Sequence, residues 1–120
     1  MKVLVVDDDA DILRMISRLC QHRGHVVQAC ASPFGVSAMI LREAPDVVLL
    51  DVMMPGLDGV ALASLIAKLE LPRRPVVALW SAMDDALLRK KGLETGLPTI
   101  SKGTSPMAII TELERLVAPR

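Results

Sequence analysis

The stretch Asp46-Val47-Val48-Leu49-Leu50-Asp51-Val52-Met53-Met54-Pro55-Gly56-Leu57-Asp58-Gly59 decides how the chain folds. The four apolar residues after Asp46, uninterrupted by glycine or proline, read as a strand buried on both faces of a parallel sheet. Asp51 stands directly behind them, ahead of a Met-Met-Pro-Gly turn. It therefore lies where the strand leaves the core, the end at which open α/β sheets place their ligands. A lone carboxylate at a strand end usually caps a turn, so its significance depends on what else reaches the same rim.

Outward from this strand the same grammar repeats. Val3–Val6 is a buried strand running into Asp7-Asp8-Asp9, which with Asp11 suits the positive end of a helix. Ile12, Met15, Ile16 and Leu19 recur at helical spacing until Gly24. His25–Cys30 reads as a second strand, and Ser32 as N-cap with Pro33 at the first helical position predicts a helix to about Glu43. After the central strand, Leu62, Leu65, Ile66 and Leu69 mark a third helix closed by Pro72. Val76–Trp80 is a fourth strand, and Asp84 or Asp85 opens a helix to about Glu94. A fifth strand falls within residues 96–102 although Pro98 weakens it, and Ser105-Pro106 starts a last helix carrying Ile109, Ile110, Leu113, Leu116 and Val117.

Five strands alternating with five helices predict an α/β, flavodoxin-like, doubly wound five-stranded parallel sheet in the order 2-1-3-4-5. That order makes strands one and three neighbours where the winding reverses. Asp7 and Asp8 then meet Asp51 in one pocket.

The length of 120 residues accommodates one domain, 1–120, and an apolar fraction of 52% supports a core built mainly from aliphatics and methionine. Fourteen acidic residues balance fourteen basic ones, so no global field attracts nucleic acid or an anionic membrane. Met1-Lys2 leads into a four-residue apolar run, too short for a signal peptide or a spanning helix, and Met1 placed just before the first strand reads as a natural start. The setting expected from this is cytoplasmic. Cys20 and Cys30 lack CxxC spacing and read as small packed thiols. His22 and His25 lack metal-pair spacing and read as surface residues, and Arg89-Lys90-Lys91 as a solvated helix face.

Carboxylates forced together raise one another's pKa, and a divalent cation relieves them. Few hard oxygen ligands with an open side suit Mg²⁺ better than a Ca²⁺ cage, and the turn after Asp51 can add a backbone carbonyl. At the ends of strands four and five stand Ser81, a hydroxyl, and Lys102, a point charge able to reach phosphoryl oxygens. A cation and a lysine to balance charge, a hydroxyl and an in-line carboxylate are what phosphoryl transfer requires.

With these residues in place, the chain resembles, over its whole length, the receiver domain of two-component response regulators. The matching pieces are Asp7-Asp8 behind the first strand, Asp51 within the quoted stretch through Pro55 and Gly59, Ser81-Ala82 closing strand four, and Lys102 after strand five. The resemblance implies that Asp51 takes a phosphoryl group from a histidine kinase or phosphotransfer protein. It implies Mg²⁺ held by Asp8, Asp51 and the Met53 carbonyl, with Asp7 acting through water, and Ser81 and Lys102 on the phosphoryl oxygens. Such a protein is a switch and not a turnover enzyme. Its partners would meet the helix 4, strand 5, helix 5 face, and phosphorylation could drive dimerisation.

Departures from that pattern bear on switching. Gly103 stands where the family has a proline in a cis peptide, and Thr99 where it has an aromatic residue that moves with the hydroxyl. Trp80 adjoins Ser81, but strand alternation aims neighbouring side chains at opposite faces. The positions two beyond Asp51 and Ser81, which tune hydrolysis in the family, are the apolar Met53 and Met83. Gly103 and Thr99 favour a rival reading, a phosphorylation-independent pseudo-receiver that acts by binding alone. A haloacid-dehalogenase-type phosphohydrolase would use Asp7 as nucleophile and Asp9 as acid, but Asp11 sits where that family wants Thr or Val. No DNA-binding helix-turn-helix or catalytic domain follows Val117, so the chain reads as a stand-alone receiver or as a piece of a longer regulator.

Overall fold

The computed structural model describes residues 1–54 and 58–118. The elements run β1 (Lys2–Val6), α1 (Ala10–His22), β2 (Val26–Cys30), α2 (Val36–Glu43), β3 (Val47–Asp51), α3 (Gly59–Ala67), β4 (Val76–Ser81), α4 (Asp85–Thr95), β5 (Thr99–Ser101) and α5 (Pro106–Val117). The sheet is parallel and ordered β2-β1-β3-β4-β5, as the alternation of elements requires. The Pro55-Gly56 turn expected after Asp51 lies outside the described residues.

Strand pleating sorts the core into two layers. Val3, Val5, Val47, Leu49, Ala78, Trp80 and Ile100 face α1 and α5, meeting Leu13, Ile16, Ile109, Ile110 and Leu113. Leu4, Val6, Val48, Leu50 and Leu79 face α2, α3 and α4, meeting Val36, Ile40, Leu62, Ile66 and Leu88. All five residues of β3 are buried, as a central strand covered on both faces must be.

Capping chemistry sets most helix starts. Asp9 accepts from the Asp11 and Ile12 N–H groups, Asp84 from Ala86 N–H, and Ser105 from Ala108 N–H. The second helix differs from expectation: it begins at Val36, and its N-cap is Gly35 at φ 86°, not Ser32. Ser32 Oγ instead accepts from Phe34 N–H in a turn of its own, which delays the helix until Val36 and Ile40 can face the core. Two residues assigned to apolar stripes, Met15 and Leu65, are exposed, because each flanks a core-facing neighbour, Ile16 or Ile66, that occupies the interior.

His25 corrects another expectation. Its side chain is largely covered, with Nδ1 2.9 Å from the Met1 amino group and Nε2 2.8 Å from Glu114 Oε2. It ties the chain start to α5. The thiols of Cys20 and Cys30 are free, and burial pushes Cys20 up to about 11, which keeps it in the inert thiol form.

Candidate functional site

The ends of β1 and β3 carry the acids. Val6 pairs with Leu50, so the next residues, Asp7 and Asp51, leave the sheet side by side. Asp7 is fully buried, Asp51 is 2% exposed and Asp8 lies at the surface. One carboxylate oxygen from each of the three falls within 4.8 Å of the others. That separation lets one cation touch all three, and the gradient from buried Asp7 to exposed Asp8 leaves an open side.

Local backbone turns aim two of these side chains. Asp7 Oδ1 accepts from Asp9 N–H at 2.9 Å, and Asp51 Oδ1 accepts from Met53 N–H at 2.8 Å. Each is an Asx turn in which the carboxylate grips its own departing loop. Their Oδ2 atoms are turned toward Lys102: Nζ donates to Asp51 Oδ2 at 3.1 Å and lies 2.6 Å from Asp7 Oδ2 in an ion pair.

Lys102 is delivered by a turn after β5. Thr104 N–H donates to Ser101 carbonyl oxygen at 3.0 Å, Gly103 N–H donates to Ser101 Oγ at 3.1 Å, and Lys102 N–H donates to the Ser81 carbonyl at 2.9 Å. Among the described residues there is no cis peptide. A proline at 103 would forfeit the bond to Ser101 Oγ, so the turn is held by a hydroxyl where the family pattern has an imide. Gly103 is not at positive φ, and an added Cβ would come only within 3.4 Å of Ser101 Oγ.

Ser81 is buried at the end of β4, and its Oγ accepts from Met83 N–H at 3.1 Å. It has the parity of Leu79, on the α3–α4 side, whereas Trp80 shares the side of Asp51, its register partner. Thr99 packs beneath α4, where a Cβ on Gly92 would lie 2.8 Å from Thr99 Cγ2. Small residues at both positions bring α4 close to β5. Between the β4–α4 and β5–α5 loops lies an open cleft of about 650 Å³ lined by Met83, Asp84, Lys102 and Gly103. Met53 is exposed and Met83 half-buried. Asp9, the acid of the phosphohydrolase reading, is spent as the α1 cap.

Burial pushes the Asp7 carboxyl above its ordinary value, and the Lys102 ammonium and the Asp9 N–H only partly oppose it. Burial also pulls Lys102 down, but the adjoining Asp7 and Asp51 more than offset that and its net direction is up. The folded metal-free protein thus binds a proton at Asp7 more readily than the unfolded chain does. That contribution is fully present below the ordinary value of 3.8 and is lost as pH rises through the raised folded value. In chelator, Asp7→Asn is expected to be more stable than wild type at neutral pH, by a margin that shrinks as pH falls toward 4. Urea midpoints across that range check it, and a margin independent of pH would contradict it.

The family model for the response regulator receiver domain matches residues 3–114. The phosphate regulon transcriptional regulatory protein PhoB of Pseudomonas aeruginosa is 29% identical over 116 residues, which are 96% of this chain and 51% of that protein. The response regulator PleD of Caulobacter vibrioides is 36% identical over 79% of this chain and 21% of its own length. The chain thus spans about half or less of these curated relatives. Among solved structures, the BeF3-activated N-terminal receiver domain of Klebsiella pneumoniae RstA superposes with a TM-score of 0.84 at 28% identity, covering 99% of this chain and 100% of that one. A family model spanning nearly the whole chain, the same strand order and an acidic rim between β1 and β3 agree, and the chain belongs to the response regulator receiver domain family.

Proposed function

We propose that the protein is a phosphoacceptor switch in which Asp51 takes a phosphoryl group from a phosphohistidine of a kinase or phosphotransfer protein. The observation that carries this reading is the meeting of Asp7, Asp8 and Asp51 within 4.8 Å, with Lys102 Nζ bridging the two buried ones. An Asp51 oxygen forms the new P–O bond as the P–N bond breaks, and the imidazole leaves with the electron pair and takes up a proton. Asp8, Asp51 and the Met53 carbonyl would hold Mg²⁺, with Asp7 bound through water. When bound, Mg²⁺ supplies positive charge that balances the phosphoryl oxygens.

Lys102 is the counter-ion of the buried acids, and its ammonium is positioned to follow charge onto the phosphoryl group. Ser81 would donate its hydroxyl hydrogen to a phosphoryl oxygen while its Oγ keeps the Met83 N–H bond. Thr99 would follow the Ser81 movement without an aromatic ring to swing. Downstream proteins, or a second phosphorylated copy, would meet the α4–β5–α5 face, where Leu87, Leu93 and Met107 are exposed. Relatives named as regulators make a cytoplasmic setting the natural one.

The test is a titration with Mg²⁺ and then beryllofluoride, followed on the emission of Trp80, the single tryptophan. Saturable responses in the wild type that Asp51→Asn loses support the reading. A wild type that binds neither refutes it and favours a pseudo-receiver.

The half-life of the acyl phosphate gives a further expected result. Neither Met53 nor Met83 can orient an attacking water, so the phosphate is expected to be long-lived. Met53→Glu and Met83→Gln should shorten the half-life by about tenfold, less than the roughly 10²–10⁴-fold of a fully positioned general base because neither replacement is held in place by a partner. Decay of phosphorylated protein measured by mass spectrometry would contradict this if polar replacements left the lifetime unchanged.

A further inference from the structure

Lys102 has a third partner besides the two carboxylates. Its Nζ lies 5.0 Å from the centroid of the Trp80 ring, inside the roughly 6 Å reach of a cation–π contact. The topology explains why. Asp51 pairs with Trp80 and Trp80 with Ile100, so Asp7, Asp51, Trp80 and Ile100 form one row across the sheet on its α1–α5 side. Lys102 follows two residues after Ile100, and its side chain crosses the end of β4 to reach Asp51, passing the indole on the way.

Packing alone does not account for an indole here. Trp80 is 1% exposed, and its Nε1 hydrogen is buried with no acceptor among the described residues. An unpaired buried donor is destabilising, and a phenyl ring would fill most of the volume without it. What the indole has over phenyl is the stronger negative face toward a cation.

We propose that Trp80 is a positioning residue for phosphoryl transfer: its ring face holds the Lys102 ammonium at the mouth of the acid pocket. This rests on the phosphoacceptor reading above. Held by the ring and two carboxylates, the ammonium stays beside the pocket in which new negative charge would arise.

The experiment compares wild type, Trp80→Phe, Trp80→Leu and the same changes in a Lys102→Met background. The readout is the rate of Mg²⁺-dependent phosphorylation by acetyl phosphate, measured as intact mass. Trp80→Leu should slow the wild type about tenfold and Trp80→Phe about threefold, the order of ring strength. Both effects should vanish when Lys102 is Met, which a merely structural role would not produce. Lys102→Met should also change Trp80 emission with circular dichroism unaltered, a result that holds even if Trp80→Leu fails to fold. Equal slowing with and without Lys102, or emission indifferent to Lys102, overturns the proposal. A wild type that takes up no phosphoryl group overturns the parent reading instead, whereas a phosphorylated wild type matched by Trp80→Leu overturns only the role of Trp80.

Discussion

Asp51→Asn is expected to eliminate acyl-phosphate formation, a loss of about a thousandfold or more, while the fold persists. The amide oxygen can still accept from Met53 N–H, so the 2.8 Å Asx turn survives, and the side chain stays isosteric in a position only 2% exposed. What disappears is the nucleophile. The charge on the carboxylate is removed as well, so Lys102 keeps Asp7 at 2.6 Å as its one anionic partner in the rim. Intact mass after incubation with acetyl phosphate and Mg²⁺ checks this. Phosphorylation of the Asn variant at the wild-type rate would place the phosphoacceptor elsewhere.

Gly59→Ala is expected to cost about 3 kcal/mol or more, because among the described glycines it is the one whose added Cβ would meet backbone at 2.5 Å. Helix propensity argues the other way, since alanine exceeds glycine by up to about 1 kcal/mol inside a helix. The space argument is stronger. A Cβ at 59 would lie 2.5 Å from both the Asp51 carbonyl oxygen and the Val52 Cα, and both are backbone atoms that cannot rotate away. Overpacking against yielding side chains already costs about 1–3 kcal/mol. Here either α3 must back off β3 or the backbone leaving Asp51 must shift, and the second would disturb the Asx turn that aims the carboxylate. Urea unfolding of Gly59→Ala should therefore show a lowered midpoint and a weakened Mg²⁺ response together. A midpoint equal to wild type would mean that α3 is not seated as tightly on β3 as this contact requires.

Gly59 also shows what the sequence could and could not convey. Its place in the Asp58-Gly59 pattern was readable, but that its missing side chain admits the carbonyl of Asp51 itself depends on how α3 crosses β3, which no local pattern encodes. The sheet order and the convergence of Asp7, Asp8 and Asp51 were legible because alternation and handedness leave few topologies, and strand ends then fix which residues meet.

Sidedness was harder. Helical spacing allows either flank of an apolar stripe to face inward, and Met15 and Leu65 lie on the outer flank. Alternation correctly separates Trp80 from Ser81, yet it does not say which of them shares a face with Asp51. Register settles that in favour of Trp80, and the contact with Lys102 follows from it. The start of α2 departs from the sequence expectation because Ser32 and Pro33 carry a cap signature that Ser32 spends on Phe34, while the N-cap is Gly35, whose positive-φ backbone makes the turn. His25 is covered only because α5 brings Glu114 back to the chain start, a contact between residues 89 apart in sequence.

The most direct trial of the phosphoacceptor account is to incubate the wild-type chain with acetyl phosphate, with and without Mg²⁺, trap the acyl phosphate by borohydride reduction and locate the label by peptide mass spectrometry. A single label on Asp51 that requires Mg²⁺ is the predicted result. Label on another carboxylate, or none with the metal present, would contradict it.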